Sequence, residues 1–249
     1  MPVRILILGG TGEARELAAQ LAAEGTDVIS SLAGRVSEPR LPAGRVRIGG
    51  FGGADGLAEY LRAEGITRVV DATHPFAAAI TANAAAAAER TGVPLLVLRR
   101  PAWDVDPSWD IVSDIGAAAA AVSTWQGDNV FLTTGRRDLA VFVADDRHRF
   151  LVRAVDPPEG PVPPCMTLIL DRGPYTVESE TRLMREHGIG LLVTKNSGGP
   201  MTEAKLRAAR DLAVRVVMVA RPPLPPESAV VMTVPEAVRW AVSPDNGVA

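Results

Sequence analysis

The alternation of short strand-like segments with alanine-rich helical segments constrains the fold of this chain more than any other feature. Segments such as Ile5–Leu8, Leu95–Leu98 and Leu191–Thr194 are apolar, short and separated by helical segments along most of the 249 residues. Strands that alternate with helices in this way form βαβ units with mostly parallel sheets. The sequence therefore predicts an α/β fold.

Two sheets are needed to hold the predicted strands, because at least ten occur and a small open sheet usually holds about four to six. We predict two Rossmann-like lobes with mostly parallel sheets and an active-site cleft between them, formed by residues 1–113 and 114–249. Asp110–Ser113 and Val230–Thr233 are similar strand-like segments that each precede a helix. The sequence does not decide which lobe each joins, so an exchange of terminal strands stays open.

Charge and cysteine content exclude several classes of function. The 26 basic and 29 acidic residues give a net charge of −3, which leaves no basic excess for nucleic acid phosphates. Cys165 has no cysteine or histidine partner at metal-ligand spacing, so neither a metal site nor a disulfide is predicted. No apolar stretch is long enough for a signal-peptide core or a membrane span, and we expect a cytoplasmic protein. The oligomeric state stays open, and a monomer is compatible with the sequence.

A strand, a glycine-rich turn and a helix start follow one another in residues 5–15. Glycines let backbone amides approach a phosphate, and the helix N-terminus adds free N–H groups and a partial positive charge. Arg15 stands where the pattern G-x-G-x-x-G has its third glycine, and a turn without a ligand is the alternative. The position after the first strand favours a dinucleotide. The predicted cofactor-binding residues here are Gly9, Gly10, Thr11, Gly12, Glu13, Ala14 and Arg15.

The end of the second predicted strand indicates which dinucleotide binds. An NAD site usually has an acidic residue there for the ribose hydroxyls. Here Ser30 and Ser31 end the strand, and Arg35 follows shortly after. Two hydroxyls and a cation suit a 2′-phosphate, so NADPH is the predicted cofactor and residues 1–113 the NADP-binding lobe. The alternative for Arg35 is a solvated loop charge.

Polar side chains follow several other predicted strands, and ligands of open α/β sheets bind beyond the carboxyl ends of strands. Thr73 and His74 follow the fourth strand and are predicted to face the cofactor. In the second half, polar and cationic residues stand at the ends of several predicted strands, where they suit an anionic ligand. Residues 114–249 are therefore predicted to form the substrate lobe. Its predicted substrate-binding residues are Thr134, Gly135, Arg136, Arg172, Lys195, Asn196, Ser197 and Gly198.

Two residues are candidates for a catalytic proton donor. A predicted helix over residues 137–144 ends at Asp145 and Asp146. The negative end of a helix dipole disfavours two ionised carboxyls, so Asp146 is predicted to carry a proton; a solvated turn is the alternative. Tyr175, in the loop after a predicted strand, is the second candidate, and His74 stands behind both.

Five segments together resemble the precorrin-6A reductase family of cobalamin biosynthesis. They are spread in order over most of the chain, and the last is the most distinctive. The segments are Leu8–Arg15, Asp71–Phe76, Thr133–Arg136, Arg172–Thr176 and Thr194–Gly199.

The resemblance implies an NADPH-dependent oxidoreductase that reduces one double bond of the precorrin-6A macrocycle to give precorrin-6B. The substrate partner would be a metal-free tetrapyrrole. A cobalt-precorrin-6A reductase of the anaerobic pathway and a non-catalytic NADP-sensing protein are the alternatives. Small-carbonyl reductases usually need a Tyr-x-x-x-Lys pair, and neither Tyr60 nor Tyr175 has a lysine four residues on.

Overall fold

A computed structural model describes residues 3–34 and 41–243 of the chain. The backbone divides into two compact units. The first runs up to Pro101 and resumes at Pro222, and the second spans Ala102–Arg221. Each unit holds one six-stranded sheet in which the paired strands are parallel. The predicted α/β fold with two parallel-sheet lobes is confirmed.

Strands and helices alternate over most of the described residues. The strands are β1 (Arg4–Leu8), β2 (Asp27–Leu32), β3 (Arg45–Ile48), β4 (Arg68–Asp71), β5 (Leu95–Leu98), β6 (Asp110–Val112), β7 (Asn129–Leu132), β8 (Arg149–Ala154), β9 (Met166–Leu170), β10 (Leu191–Lys195), β11 (Arg215–Val219) and β12 (Ala229–Val231). The α-helices are α1 (Gly12–Ala23), α2 (Ala54–Ala63), α3 (Ala78–Thr91), α4 (Ile115–Thr124), α5 (Val177–Glu186), α6 (Ala204–Asp211) and α7 (Val234–Val242).

The two sheets share one strand order except at one edge, where β12 is the last strand of its unit and β6 is the first. The first sheet is β12-β5-β4-β1-β2-β3 and the second is β6-β11-β10-β7-β8-β9. In the first sheet, the chain runs from β1 through β2 to the edge strand β3 and then returns to form β4 on the other side of β1. In the second, it runs from β7 through β8 to β9 and returns to form β10 on the other side of β7. The resulting switch points lie between β1 and β4 and between β7 and β10. Ligands of open parallel sheets bind at the carboxyl ends of the strands at such points.

Apolar side chains on both faces of the first sheet explain why its strands are buried. Ile5 and Ile7 of β1 face a cluster that includes α1 and α7, whereas Leu6 and Leu8 face α2 and α3. Successive side chains of a strand point to opposite faces, so a continuous apolar run fits a sheet covered on both sides. In the second unit, β7, β8, β10 and β11 bury side chains against α5 and α6.

The division differs from the predicted boundary between residues 113 and 114. The strand β6 pairs with β11 in the second sheet, and β12 pairs with β5 in the first. The helix α7 then packs beside α1. Both strands have three residues and lie at a sheet edge, so neither carries a pattern specific to one sheet.

The predicted helix over residues 137–144 is wrong, because this segment forms only the 3₁₀ turn Leu139–Phe142. Leu139 and Phe142 are both buried. They are three residues apart, so a single 3₁₀ turn places both side chains on the buried side. The Asp145 carboxylate then accepts hydrogen bonds from the backbone amides of Arg147 and His148 at 3.2 and 3.0 Å. This turn directs the chain into β8.

Candidate functional site

The glycine-rich turn of the first unit lies at the carboxyl end of β1. Gly10 has a φ of +118°, and a Cβ added there would meet no heavy atom within 4 Å. Thr11 caps α1, because its hydroxyl oxygen accepts from the Ala14 amide at 3.1 Å. The same hydroxyl donates to the Ala72 carbonyl at 2.7 Å and so joins the turn to the end of β4. The start of α1 is thereby fixed at the switch point.

The remaining predicted residues of this turn differ in their surroundings. Gly9 and Gly12 flank the cap, whereas Ala14 is buried in the core and its amide serves Thr11. Glu13 forms an ion pair with Arg100, whose Nη1 lies 3.0 Å from Glu13 Oε2. Arg15 lies partly exposed on α1. Sequence reasoning missed Arg100, because only the fold brings the end of β5 to this turn.

Asp71 organises the loop after β4. It is buried, and its carboxylate accepts from the Thr73 amide at 3.0 Å, the Thr73 hydroxyl at 2.7 Å and the Thr81 hydroxyl at 2.6 Å. His74 is exposed, and its Nδ1 accepts from the Phe76 amide at 3.3 Å. Thr73 therefore shapes the loop, and His74 stands at its surface.

Arg47, a second arginine that the sequence did not single out, lies on β3 beside the predicted ribose position at the end of β2. Ser31 pairs in register with Arg47, whose Nη1 donates to the Ser31 hydroxyl at 3.3 Å. The Arg47 guanidinium also lies 3.8 Å from the centre of the Phe51 ring. The Ser30 hydroxyl is buried and has no hydrogen-bond partner among the described residues. Arg35 lies outside the described residues.

These features could hold a dinucleotide. An open backbone at Gly10 and a capped helix start are what a pyrophosphate needs. The buried Ser30 hydroxyl lacks a protein partner within the described ranges, and Arg47 supplies a cation at the end of β2 and β3. The alternation Arg45, Val46, Arg47 is the only sequence signal that points to Arg47.

The loop after β7 forms the corresponding edge of the second unit. Thr134 is 6% exposed, and its hydroxyl has no partner among the residues the structure describes. Gly135 has a φ of +94° and open space at its Cβ position. The Nη1 of Arg136 donates to the Pro157 carbonyl at 2.9 Å and to Glu159 Oε1 at 2.8 Å. A cavity of about 150 Å³ lies beside Arg136 and Arg137, large enough for one carboxylate-bearing substituent.

The loop after β10 supplies a cation and a structural amide. Lys195 Nζ lies 2.5 Å from Asp138 Oδ2. Asn196 is buried, and its side chain accepts from the Trp103 amide at 2.9 Å and donates to the Trp103 carbonyl at 3.3 Å. Arg221 donates to the carbonyls of Asn196 and Ser197 at 2.7 and 3.1 Å. The Asn196 side chain, predicted to bind substrate, thus bonds the Trp103 backbone, and the loop of Asn196 continues through Gly198.

Tyr175 lies half-buried after β9, above a buried ion pair. Arg153 forms two parallel bonds to Glu180, with Nη1–Oε1 at 2.5 Å and Nη2–Oε2 at 2.9 Å. The Arg153 guanidinium lies 3.7 Å from the centre of the Tyr175 ring. Burial raises the pKa of Tyr175, partly opposed by the Arg153 cation, so the phenol is protonated at neutral pH. Arg172, partly exposed nearby, donates its backbone amide to Asp171 at 2.7 Å.

Lys205 is a buried cation near this ion pair that sequence reasoning missed. Its side chain lies at the start of α6, with Nζ 4.8 Å from the centre of the Trp103 ring. Burial lowers the pKa of Lys205 to about 7; the Arg153 cation acts in the same direction and Glu180 opposes it. No sequence pattern distinguishes it from a surface lysine.

Asp146 lies at the amino ends of the strands of the second sheet, opposite the carboxyl ends where the other candidates lie. It is exposed and immediately precedes β8, whereas Thr134, Tyr175 and Lys195 follow the carboxyl ends of strands. The helix on which its predicted protonation depends does not exist. Its neighbour Asp145 binds the buried His148, with Oδ2–Nδ1 at 2.7 Å. Burial raises the pKa of Asp145, but the hydrogen bonds and charge of His148 outweigh it, and the net shift is downward.

The described residues contain neither a metal-binding cluster nor a membrane-spanning helix. No group of three or more His, Cys, Asp or Glu side chains within residues 3–34 and 41–243 could hold a metal ion. In the same ranges, no helix has the length and apolar character to span a bilayer.

Comparison with known proteins identifies one family over nearly the whole chain. The family model "Precorrin-6x reductase CbiJ/CobK" matches residues 4–242. A precorrin-6A reductase of Rhodococcus erythropolis is 57% identical over 240 residues, covering 95% of this chain and 96% of the relative. A cobalt-precorrin-6A reductase of Priestia megaterium is 31% identical over 236 residues, covering 88% and 90%.

A solved structure gives the same result. The protein described as CobK precorrin-6A reductase superposes with a TM-score of 0.88 at 44% identity, covering 96% of this chain and 95% of that one. The resemblance carried by the five sequence segments is confirmed, and so is the α/β fold.

Proposed function

Because this chain belongs to the precorrin-6x reductase family, we propose that it uses NADPH to reduce one double bond of precorrin-6A, giving precorrin-6B in cobalamin biosynthesis. The identity to a precorrin-6A reductase over 95% of the chain is the observation that carries the proposal. The higher identity to that relative than to a cobalt-precorrin-6A reductase, 57% against 31%, favours the metal-free substrate.

We propose that the first unit holds the coenzyme. The open turn at Gly10 and the capped start of α1 would receive the pyrophosphate. Ser31 and Arg47 would bind the 2′-phosphate, Arg47 chiefly through its charge, because its Nη1 and Nη2 also donate to the carbonyls of Gly49 and Gly50 at 2.6 and 2.7 Å. The absence of an acidic side chain among the five residues of β2 after Asp27 agrees with NADPH rather than NADH.

We propose that the second unit binds the carboxylates of the macrocycle. Arg136, Arg172 and Lys195 supply cations at or beyond the ends of β7, β9 and β10. The exposed apolar side chains of Leu170 and Met201 at the same edge suit the faces of a flat ring. Many carboxylates on a wide ring need several separate cations rather than one helix start.

The bound coenzyme would supply a hydride to one carbon of the double bond, and a proton must reach the neighbouring carbon. We assign that proton to the Tyr175 hydroxyl, since it is partly exposed at the carboxyl edge and protonated at neutral pH. Arg153 and Glu180 hold the ring beneath it. The exposed Asp146, at the opposite edge, is the less favoured donor.

The test of this function is coenzyme consumption in the presence of precorrin-6A. We expect NADPH absorbance to fall only when the macrocycle is added, and mass spectrometry to show a product that has gained two hydrogen atoms. Arg47→Ala should weaken NADPH binding about ten-fold or more and leave NADH binding unchanged, because only NADPH carries the 2′-phosphate. Arg45→Ala, on the same strand but paired with Glu64, is the matched control. Turnover with cobalt-precorrin-6A alone, or binding of NADPH without turnover, would refute the proposal.

A further inference from the structure

Asp138 is an acidic residue of the second unit that the proposed function does not use. It follows the turn at Thr134 and Gly135 and precedes the 3₁₀ turn Leu139–Phe142. Its Oδ2 lies 2.5 Å from Lys195 Nζ, and the two side chains are 18% and 19% exposed. Both charges are therefore largely withdrawn from water, which costs free energy unless the pair is well placed.

The pair lies at the switch point of the second sheet. The register pair Leu132–Val193 joins β7 to β10, and Thr134 and Lys195 each stand two residues beyond it. The Thr133 amide donates to the Val193 carbonyl at 3.0 Å, so the two chains remain side by side past the end of β7. Thr134 and Lys195 consequently occupy neighbouring positions at the carboxyl edge.

Thr134 supplies an independent sign of a ligand at this position. Its side chain is more than nine-tenths buried, and its hydroxyl has no partner among the described residues. A buried hydroxyl without a partner is costly, and native proteins usually satisfy such groups. The Cβ position of the next residue, Gly135, has no heavy atom within 4 Å, which leaves space beside the Thr134 backbone. A carboxylate oxygen would satisfy the hydroxyl and attract the ammonium together.

A lysine side chain is flexible, so it needs a partner that fixes the direction of its ammonium group at such a site. Its side chain has four rotatable bonds and loses up to about 2 kcal/mol of rotamer entropy when it is fixed. An ammonium has three donor hydrogens, so it can bind Asp138 and a ligand at once. Asp138 lies in a short turn between two buried residues, Thr134 and Leu139, whereas Lys195 is the last residue of β10.

We propose that Asp138 is a positioning residue that holds the Lys195 ammonium beside the Thr134 hydroxyl, so that both donate to one carboxylate of the substrate. The identity of that substrate rests on the proposed function. The alternative role is electrostatic: a bare negative charge near an anion site would repel the substrate. The two roles predict opposite signs, because loss of Asp138 weakens binding in the first and strengthens it in the second.

The experiment measures the Kd of precorrin-6A for the full chain without coenzyme, from tryptophan fluorescence. Asp138→Asn should raise the Kd about ten-fold, as expected when the ion pair that directs the Lys195 ammonium is lost. Lys195→Met should raise it at least as much, and the double variant should match Lys195→Met alone, since Asp138 acts through Lys195. Asp128→Asn, exposed at the opposite end of β7, is the matched control and should leave the Kd unchanged. Thermal melts identify any variant that fails to fold.

Each outcome decides the inference. An unchanged or lower Kd in Asp138→Asn, or effects of the two substitutions that simply add, would overturn it. In Asp138→Asn, a raised KM for precorrin-6A with an unchanged KM for NADPH would support it further, whereas a merely destabilised protein would lose both. If the wild type binds precorrin-6A but does not reduce it, the proposed function fails and the variants still judge Asp138. If the wild type does not bind precorrin-6A at all, both fail.

Discussion

The two units place different turns on the same strand order. In each, the strand at the third position from one edge ends in a glycine turn beside the switch point, and Gly10 and Gly135 both have positive φ with open space at the Cβ position. The first turn leads into the 12-residue helix α1 with a threonine cap. The second leads into a 3₁₀ turn of only four residues.

This difference changes which anion each edge suits. A full α-helix presents unpaired N–H groups and a partial positive charge, which favour a compact pyrophosphate. A single 3₁₀ turn offers little of either, and the second edge instead carries Arg136 and Lys195. Separate cations suit carboxylates that are spread over a wide ring. Under the proposed function, one fold serves a coenzyme in the first unit and a substrate in the second through the turn after a single strand.

The largest expected effect concerns the proton donor of the second unit. Tyr175→Phe should slow single-turnover hydride transfer about a hundred-fold, a typical loss for a general acid. Asp146→Asn should change the rate little, because Asp146 is exposed at the opposite edge of the sheet. Rapid-mixing absorbance of NADPH checks both. A large loss in Asp146→Asn with normal rates in Tyr175→Phe would move the acid to the other edge and contradict our assignment.

The proposed coenzyme turn is contiguous in the sequence and the proposed substrate edge is not, for a physical reason. Gly9–Gly12 follows a buried strand and opens a helix, so its contacts are local and its pattern is continuous in the chain. Asp138 and Lys195 are far apart in sequence and meet only because β7 and β10 are neighbours. The same is true of Arg100 with Glu13 and of Arg47 with Ser31.

The errors also have identifiable causes. The segment 137–144 contains good helix formers, but one turn is sufficient to bury the side chains of Leu139 and Phe142. The Asp145 carboxylate then accepts hydrogen bonds from the amides of Arg147 and His148, which ends the turn. The ligand contact suggested for Asn196 stays a prediction, and its side-chain amide also binds the Trp103 backbone. The three-residue edge strands β6 and β12 carry too little pattern to specify a sheet.

A matched pair of glycine substitutions tests the comparison of the two turns. Gly10→Ala should raise the Kd of NADPH about ten-fold and leave precorrin-6A binding unchanged, and Gly135→Ala should do the reverse. A side chain at positive φ costs about 1–2 kcal/mol and occupies the space of the ligand. Gly92→Ala, at a φ of +70° at the end of α3, imposes similar strain without a ligand and is the control. If either edge variant weakens both ligands equally, the two turns do not have separate roles.

The smallest expected effect is a pH dependence of stability that arises in the second unit alone. Lys205 has a pKa of about 7 in the folded state, against about 10.4 for an unfolded lysine. Above pH 7 the unfolded chain therefore binds more protons at this site, and stability rises with pH. Between pH 7 and 8 the gain should be about 1 kcal/mol, with the slope lost in Lys205→Met. Arg207→Met, on the exposed side of α6, should keep the slope. Urea unfolding at the two pH values measures it, and an equal slope in Lys205→Met would show that the buried ammonium is not its source.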